Sequence, residues 1–152
     1  MENLVNLKTI KSKSTKRWLV WLNQAYFDMR AAELSYENHF YEWTCFQSEQ
    51  CVEKCLKAVL VNHGYRPPKI HSISILMSIC NKINPKFRDT KFIFRQIESF
   101  TFVSRYPFLI PGENTSPHEY ITQEDAKTCI DEAKELLWKI KELLSDNSYI
   151  EK

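Results

Sequence analysis

The chain has 152 residues, a net charge of +2, 43% hydrophobic and 13% aromatic side chains, and two glycines. A chain of this length folds as one domain, and so few glycines favour helices over sheets joined by tight turns. No run approaches about 18 consecutive apolar residues, which excludes an ordinary membrane-spanning helix and predicts a soluble protein.

Five cysteines, an odd number, lack the spacing of a disulfide framework. No apolar export segment follows the N-terminus, so we expect reduced, mostly buried thiols in a cytoplasmic protein. Cys51 and Cys55 share one side of a predicted helix, but no C-x2-C pair or H-E-x-x-H motif accompanies them. We therefore expect no metal and no cofactor, and the lack of G-x4-G-K-[ST] and G-x-G-x-x-G motifs excludes P-loop and Rossmann nucleotide sites.

Charge is distributed unevenly along the chain. Residues 1–118 carry 16 Lys/Arg and 10 Asp/Glu, a surplus of +6, whereas residues 119–152 carry 5 and 9, a deficit of −4. Five of the basic residues fall between Lys8 and Arg17, with no acid among them. This basic arm either attracts phosphates through counterion release or is a solubilising terminus.

Helical spacing dominates the first half of the chain. Apolar residues at steps of three and four predict an amphipathic helix over residues 17–38 and a second over residues 41–63. Gly64 is placed to end the second helix, and the Pro-rich segment after it prevents continuation. A shorter helix is predicted over residues 72–83.

The second half of the chain is less regular. A fourth helix is predicted over residues 89–103, because its Ile and Phe residues keep helical spacing although their β propensity also suits a strand. Residues 106–120 contain three prolines and a glycine and are predicted to form a loop, of the length that often carries function. Thr122 and Asp125 resemble a capping box that opens a last helix of about six turns.

These elements predict an all-α fold in a single domain. The helical domain spans residues 17–146, preceded by a basic flexible arm at residues 1–16 and followed by a C-terminal tail at residues 147–152. Repeats and low-complexity tracts are absent from the sequence.

The second predicted helix carries a polar face away from its apolar stripe. Two ammonium groups and an aromatic ring on this face are suited to phosphate attraction and base stacking. The same residues also fit an ordinary surface, since Glu53 and Lys57 have the favourable i,i+4 order. The residues of this face are Trp43, Gln47, Gln50, Glu53, Lys54 and Lys57.

Arg105 lies between a predicted helix end and Tyr106-Pro107, where the backbone is restrained. Its planar guanidinium suits bidentate phosphate recognition, although pairing with Glu53 or Glu49 as a structural tie is an alternative. His71 and His118 are the candidates for acid–base work, because imidazole titrates near neutral pH, or else they are structural.

Three segments, in this order, resemble the HEPN family of helical domains. They are Gln50-x-x-Glu53-Lys54-x-x-Lys57-Ala58, Ile70-His71-Ser72-Ile73 at the start of the next helix, and Ser104-Arg105-Tyr106-Pro107 before a final Ala-rich helix. The resemblance covers roughly residues 21–144. It is greatest to the branch that includes small archaeal and bacterial HEPN proteins and the C-terminal domain of sacsin.

The resemblance implies an up-and-down bundle of four to five helices, a homodimer with a groove between protomers, and binding of a nucleotide or RNA. Arg105 would bind phosphate, Lys54, Lys57 and Glu53 would belong to the site, and Tyr106 or Trp43 would stack on a base. It also implies a toxin-like or regulatory half of a toxin–antitoxin module whose partner is a minimal nucleotidyltransferase.

Two other functions stay open. Many HEPN proteins are metal-independent ribonucleases with an Arg-x4-6-His motif, in which arginine stabilises the transition-state charge and histidine moves the proton of the ribose 2′-hydroxyl. This chain has Leu109, Ile110 and Pro111 at those positions, so catalysis would need Arg105 with His71 or His118. The other alternative is a dimerisation or interaction module without a ligand.

Overall fold

The computed structural model describes residues 17–87, 95–112 and 114–146, and within these ranges it is all-α with no strand. This confirms the predicted fold class. The predicted arm at residues 1–16 and tail at 147–152 lie outside the described residues. The helices are α1 (Arg17–Glu37), α2 (Tyr41–Asn62), α3 (Ile73–Ile83), α4 (Arg95–Val103), α5 (Pro117–Tyr120) and α6 (Gln123–Asp146).

Helix α2 is the centre of the bundle. It packs against α1, α6, α4 and α3, and buried residues occur on all its sides. Most of them are the apolar side chains expected of an enclosed helix. Six are polar or charged and therefore need partners inside the protein: Glu42, Thr44, Ser48, Glu49, Glu53 and Lys57.

The predicted helix ends are confirmed by their capping contacts. Gly64 has φ +82° and donates its amide to the Val61 carbonyl, while Tyr65 donates to Leu60, both at 3.0 Å. This pair of bonds is the Schellman arrangement that glycine permits at the end of α2. Thr122 and Asp125 cap each other reciprocally before α6, as predicted.

The expectation that residues 106–120 form an irregular loop is wrong in two places. Residues Pro107–Leu109 form a 3-10 turn, and α5 is a short helical turn. Proline was treated as a helix breaker, but at the first helical position its missing N–H costs nothing. A second capping box, between Ser116 and Glu119, fixes the same end of α5.

Helix α4 packs against α2 and α3. The prediction began it at residue 89, and residues 88–94 lie outside the described part of the chain. Near the start of α4, the Glu98 carboxylate accepts a hydrogen bond from Ser72, the N-cap of α3, at 2.7 Å. At its other end the chain turns back towards the first half of α2. No helix in the described ranges is long and apolar enough to cross a membrane.

Candidate functional site

One face of α2 organises the candidate site. Glu42, Phe46, Glu49 and Glu53 follow one another at steps of four, three and four residues, so they lie on the same side of the helix. We call this set the α2 stripe. It spans about 16 Å along the helix axis. Its three glutamates, counted as whole residues, are 7%, 0% and 5% exposed, in chain order.

Arg105 stacks on the aromatic member of the α2 stripe. Its guanidinium carbon lies 4.4 Å from the ring centre of Phe46, 5.1 Å from that of Tyr106 and 5.6 Å from that of Phe102. Its Nε donates to the Thr101 carbonyl at 2.9 Å. The rings and this hydrogen bond fix the plane of the guanidinium group, as sequence reasoning expected of a restrained arginine.

Arg105 does not form the structural tie that was considered for it. In the described part of the chain, no carboxylate lies within ion-pair distance of its guanidinium. Glu53 is paired with Lys57 and His71, and Glu49 accepts a hydrogen bond from Gln50. Among the described residues, no carboxylate therefore occupies the donors of the two terminal nitrogens of Arg105, and these donors can serve an anion.

His118 is anchored to the first member of the α2 stripe. Its Nδ1 lies 2.9 Å and 3.0 Å from the two carboxylate oxygens of Glu42. The histidine side chain is 59% exposed and that of Glu42 is 10% exposed. Because Glu42 and Phe46 are one turn apart, the contacts that His118 and Arg105 make with α2 lie on adjacent turns of that helix.

His71 is anchored in the same way at the other end of the stripe. Its Nδ1 lies 3.1 Å from Oε2 of Glu53, whose other oxygen, Oε1, accepts a hydrogen bond from Lys57 at 2.7 Å. Seven residues, or about 10 Å along α2, separate Glu53 from the ring on which Arg105 stacks. The contact of His71 with α2 thus lies further along the helix from that of Arg105 than the contact of His118 does.

The prediction that Glu53 and Lys57 lie on an exposed face is wrong. Their side chains are both 6% exposed, and Lys57 Nζ lies 5.7 Å from the ring centre of Trp21 in α1. The error arises because α2 is enclosed, so the side opposite its main apolar stripe is covered too. The Lys57 charge is neutralised internally, which weakens the case for it as a phosphate contact.

Of the other predicted site residues, Trp43 and Tyr106 lie near Arg105, and Lys54 lies against α1. Trp43 is 46% exposed and meets Phe46 edge to face at 6.0 Å, and Tyr106 is 41% exposed, so both lie around Arg105. Lys54 instead forms an ion pair with Asp28 of α1 at 2.6 Å. Its charge is therefore also largely compensated.

Glu49 is the buried acid between these groups. Its Oε2 accepts from Gln50 at 2.9 Å, while its buried Oε1 has no partner among the described residues. Burial raises the pKa of the Glu49 carboxyl to about 7, against the opposing effect of the Gln50 hydrogen bond, while the nearby Glu53 charge adds to the increase. Lys54 and Arg105 favour the charged form.

Sequence reasoning missed Glu42 and Phe46 as members of the site and considered Glu49 only as a structural partner of Arg105. Their signal was the spacing 42, 46, 49 and 53, which places one aromatic residue and three acids on a single helical face. That signal is weak without knowledge of what covers the face. His118 and Glu42 are 76 residues apart in the chain, so nothing local connects them.

The cysteines contribute no reactive group to this site. All five are free and buried, as expected. Burial raises the pKa of the Cys80 thiol to about 12, and it also raises that of Cys55, where Cys51 adds to the effect. Thiols of this kind are poor nucleophiles at neutral pH. In the described ranges, no group of three or more His, Cys, Asp or Glu is arranged to hold a metal.

A cavity of about 410 Å³ lies elsewhere, between α1 and α6. Leu22, Tyr26, Leu137, Trp138 and Lys141 are among the residues that line it, and none of the predicted site residues does. The charged and aromatic groups suited to phosphate are instead on the surface over the α2 stripe. We therefore place the candidate site at Arg105.

Comparisons with known proteins agree on one family. The sequence profile described as HEPN domain matches residues 18–143. The protein named "Putative toxin MJ1304" of Methanocaldococcus jannaschii is 29% identical over 133 residues, which cover 84% of this chain and 88% of the relative. The match extends over nearly the whole helical domain.

Two solved structures are similar to this one. TT1696 from Thermus thermophilus has a TM-score of 0.71 and 25% identity, with 84% of this chain and 98% of that chain covered. ST0689, described as an archaeal HEPN homologue, has a TM-score of 0.59 and 28% identity, with coverage of 85% and 98%. Together with the profile match, these similarities confirm the resemblance found in the sequence motifs.

The buried pair of Glu53 and Lys57 gives a stability prediction. Glu53→Gln leaves the Lys57 ammonium buried without a countercharge, so we expect the free energy of unfolding to fall by about 3 kcal/mol. The matched control is Asp131→Asn, which breaks the i,i+4 pair of Lys127 and Asp131, both 55% exposed. That change should cost no more than about 0.5 kcal/mol. Equal losses in urea denaturation of the two variants would contradict the assignment of Glu53 and Lys57 as a buried pair.

Glu49 gives a pH prediction. Its carboxyl keeps its proton up to about pH 7 in the folded protein but loses it near pH 4.5 when unfolded, so the folded state holds more protons between these values. Stability from this group is complete below pH 4.5 and is lost as pH rises to about 7. The neutral Glu49→Gln variant should escape the loss, gaining about 3 kcal/mol relative to wild type between these limits. A difference between the two proteins that stays constant across this range, in denaturation measured at each pH, would refute it.

Proposed function

The protein belongs to the HEPN domain family, and we propose that it binds the phosphate groups of a nucleotide or RNA at Arg105. In this proposal it is the toxin-like or regulatory half of a module whose partner is a minimal nucleotidyltransferase. The name of the Methanocaldococcus relative, which describes a toxin, supports the toxin-like role.

The observation that carries the proposal is that the Arg105 side chain is held in place without an ion-pair partner among the described residues. Three aromatic rings hold the guanidinium plane, and no carboxylate of the described residues pairs with it. A planar group with free terminal donors matches two phosphate oxygens at once, which an ammonium does not. An arginine held in place also loses little side-chain entropy on binding.

Exposed aromatic residues support nucleotide recognition around Arg105. Trp43 and Tyr106 are half-exposed, while Phe102 and Phe108 are 58% and 80% exposed. Flat rings beside a phosphate-binding group suit bases that stack without sequence preference. A contiguous apolar surface of this kind also suits a protein contact, and we propose that it lies in the groove of a homodimer.

A second candidate, a metal-independent endoribonuclease, is favoured by the anchoring of His118 to Glu42. In this reaction the histidine removes the proton of a ribose 2′-hydroxyl, whose oxygen then bonds to the adjacent phosphorus. The bond from phosphorus to the 5′-oxygen breaks, and that oxygen takes up a proton. The products are a 2′,3′-cyclic phosphate and a 5′-hydroxyl, and Arg105 would stabilise the charge on the phosphorus oxygens between them.

The separation of Arg105 and His118 in the sequence does not count against this candidate. Thirteen positions and three intervening prolines separate the two residues. Their contact residues on α2 lie one helical turn apart, since His118 contacts Glu42 and Arg105 contacts Phe46. The closeness of these two contacts supports the pairing of Arg105 with His118 in the proposed reaction.

The test is titration of the pure protein with labelled single-stranded RNA and with ATP or GTP, each with and without chelator. Arg105→Lys keeps the charge but loses the bidentate group, so affinity should fall more than about fivefold, the equivalent of about 1 kcal/mol. Arg66→Lys, at an exposed position after α2, is the matched control and should leave affinity unchanged. Cleavage of RNA by the wild-type protein with chelator present would establish the second candidate.

Arg105→Ala separates a ligand role from a structural one. If the residue serves a ligand, this variant should lose binding while its melting temperature stays near that of wild type. A variant that melts many degrees lower but binds RNA and nucleotide normally would show that Arg105 serves the fold, and the proposed site would be wrong.

A further inference from the structure

We infer that Glu42 is a positioning residue that fixes the ring of His118 and makes His118, rather than His71, the acid–base partner of Arg105. The acid–base part rests on the endoribonuclease form of the proposed function. The positioning part rests on contacts within the chain alone.

The hydrogen bond defines the tautomer of His118. Both oxygens of Glu42 lie within 3.0 Å of Nδ1. An ionised carboxylate accepts hydrogen bonds but donates none, so Nδ1 must carry the proton and the neutral ring presents its lone pair at Nε2. Nε2 has no partner among the described residues. It is therefore the nitrogen that can accept a proton from a substrate.

The backbone that carries His118 is fixed as well. Pro117 begins α5, and the carboxylate of Glu119 accepts from the amide and hydroxyl of Ser116 at 2.9 Å and 2.7 Å. The ring of Phe40 lies 6.1 Å from the imidazole, measured between ring centres. With the capped turn on one side and buried Glu42 on the other, the imidazole has one preferred direction.

Charge compensation distinguishes the two histidines. Glu53, the partner of His71, already faces the ammonium of Lys57 at 2.7 Å, so much of its charge is neutralised before the imidazole gains a proton. No lysine or arginine of the described residues pairs with Glu42. A proton arriving at His118 therefore meets a full countercharge at Glu42.

Position along α2 points to the same histidine. Glu42 precedes Phe46 by four residues, about 6 Å of helix, whereas Glu53 follows it by seven, about 10 Å. A hydroxyl next to a phosphate held by Arg105 must lie within a few ångströms of that phosphate. The α2 contact of His118 lies one turn from that of Arg105, and the α2 contact of His71 lies two turns from it.

The first experiment reads the tautomer directly and does not depend on activity. Long-range ¹H–¹⁵N correlation of the histidine rings at pH 8.5 should show His118 protonated at Nδ1 in the wild-type protein. Glu42→Ala should convert His118 to the Nε2-protonated form that predominates in free imidazole, while His71 in the same spectrum stays unchanged. Glu42→Gln, which keeps an acceptor oxygen and the side-chain volume, should retain the Nδ1 proton.

The second experiment measures RNA cleavage by the same proteins in the presence of chelator. Loss of a positioning partner should lower kcat roughly 10- to 100-fold in Glu42→Ala with KM little changed, and Glu42→Gln should recover part of the loss. His71→Ala should keep its kcat.

Three results would overturn parts of the inference. An unchanged His118 tautomer in Glu42→Ala removes the positioning role, whatever the activity. Cleavage that depends on His71 instead of His118 removes the choice of partner. A wild-type protein that binds RNA but does not cleave it removes the acid–base role, while the proposed phosphate binding at Arg105 stands.

Discussion

Burial of three carboxylates on one face of α2 is the constraint on which the site depends. A buried charge must be paired or lose its ionisation, because removal from water costs more than an unpaired group can recover. Glu53 is paired with Lys57 and His71, and Glu42 is paired with His118. Glu49 has one hydrogen bond from Gln50 and a raised pKa. The acids of the α2 stripe thus bind polar groups of other segments to the central helix.

The aromatic member of the α2 stripe has the opposite effect. A fourth acid at position 46 would form an ion pair with Arg105. Phe46 instead offers a ring that orients the guanidinium without compensating its charge. The resulting surface combines an oriented cation, a carboxylate-anchored imidazole and half-exposed rings. The same helix face therefore contributes to both stability and function. Its carboxylates hold other segments of the chain, and its Phe46 ring leaves the Arg105 cation available to a ligand.

Local patterns predicted most of the fold, because helices and their caps depend on residues three or four apart. The Gly64 end of α2 and the Thr122–Asp125 box before α6 are examples. Prediction of the site, by contrast, required knowing which residues cover each helix face, and local patterns do not show this. Glu53 with Lys57 and Lys127 with Asp131 have the same spacing, yet one pair is buried and the other exposed. Arg105, Glu53 and the two histidines were found from their chemistry, but the pairings of His71 with Glu53 and of His118 with Glu42, across 18 and 76 residues, were not.

The central claim is that a phosphate ligand binds over the α2 stripe at Arg105. The most direct measurement is an NMR titration of the isotope-labelled protein with a 2′-O-methyl RNA trinucleotide, which cannot be cleaved through the 2′-oxygen. The account predicts saturable chemical-shift changes at the Arg105 guanidinium, the Phe46 ring and the His118 imidazole, with little change at Trp138 in the cavity between α1 and α6. Changes centred on Trp138 and Lys141, with Arg105 unaffected, would contradict it.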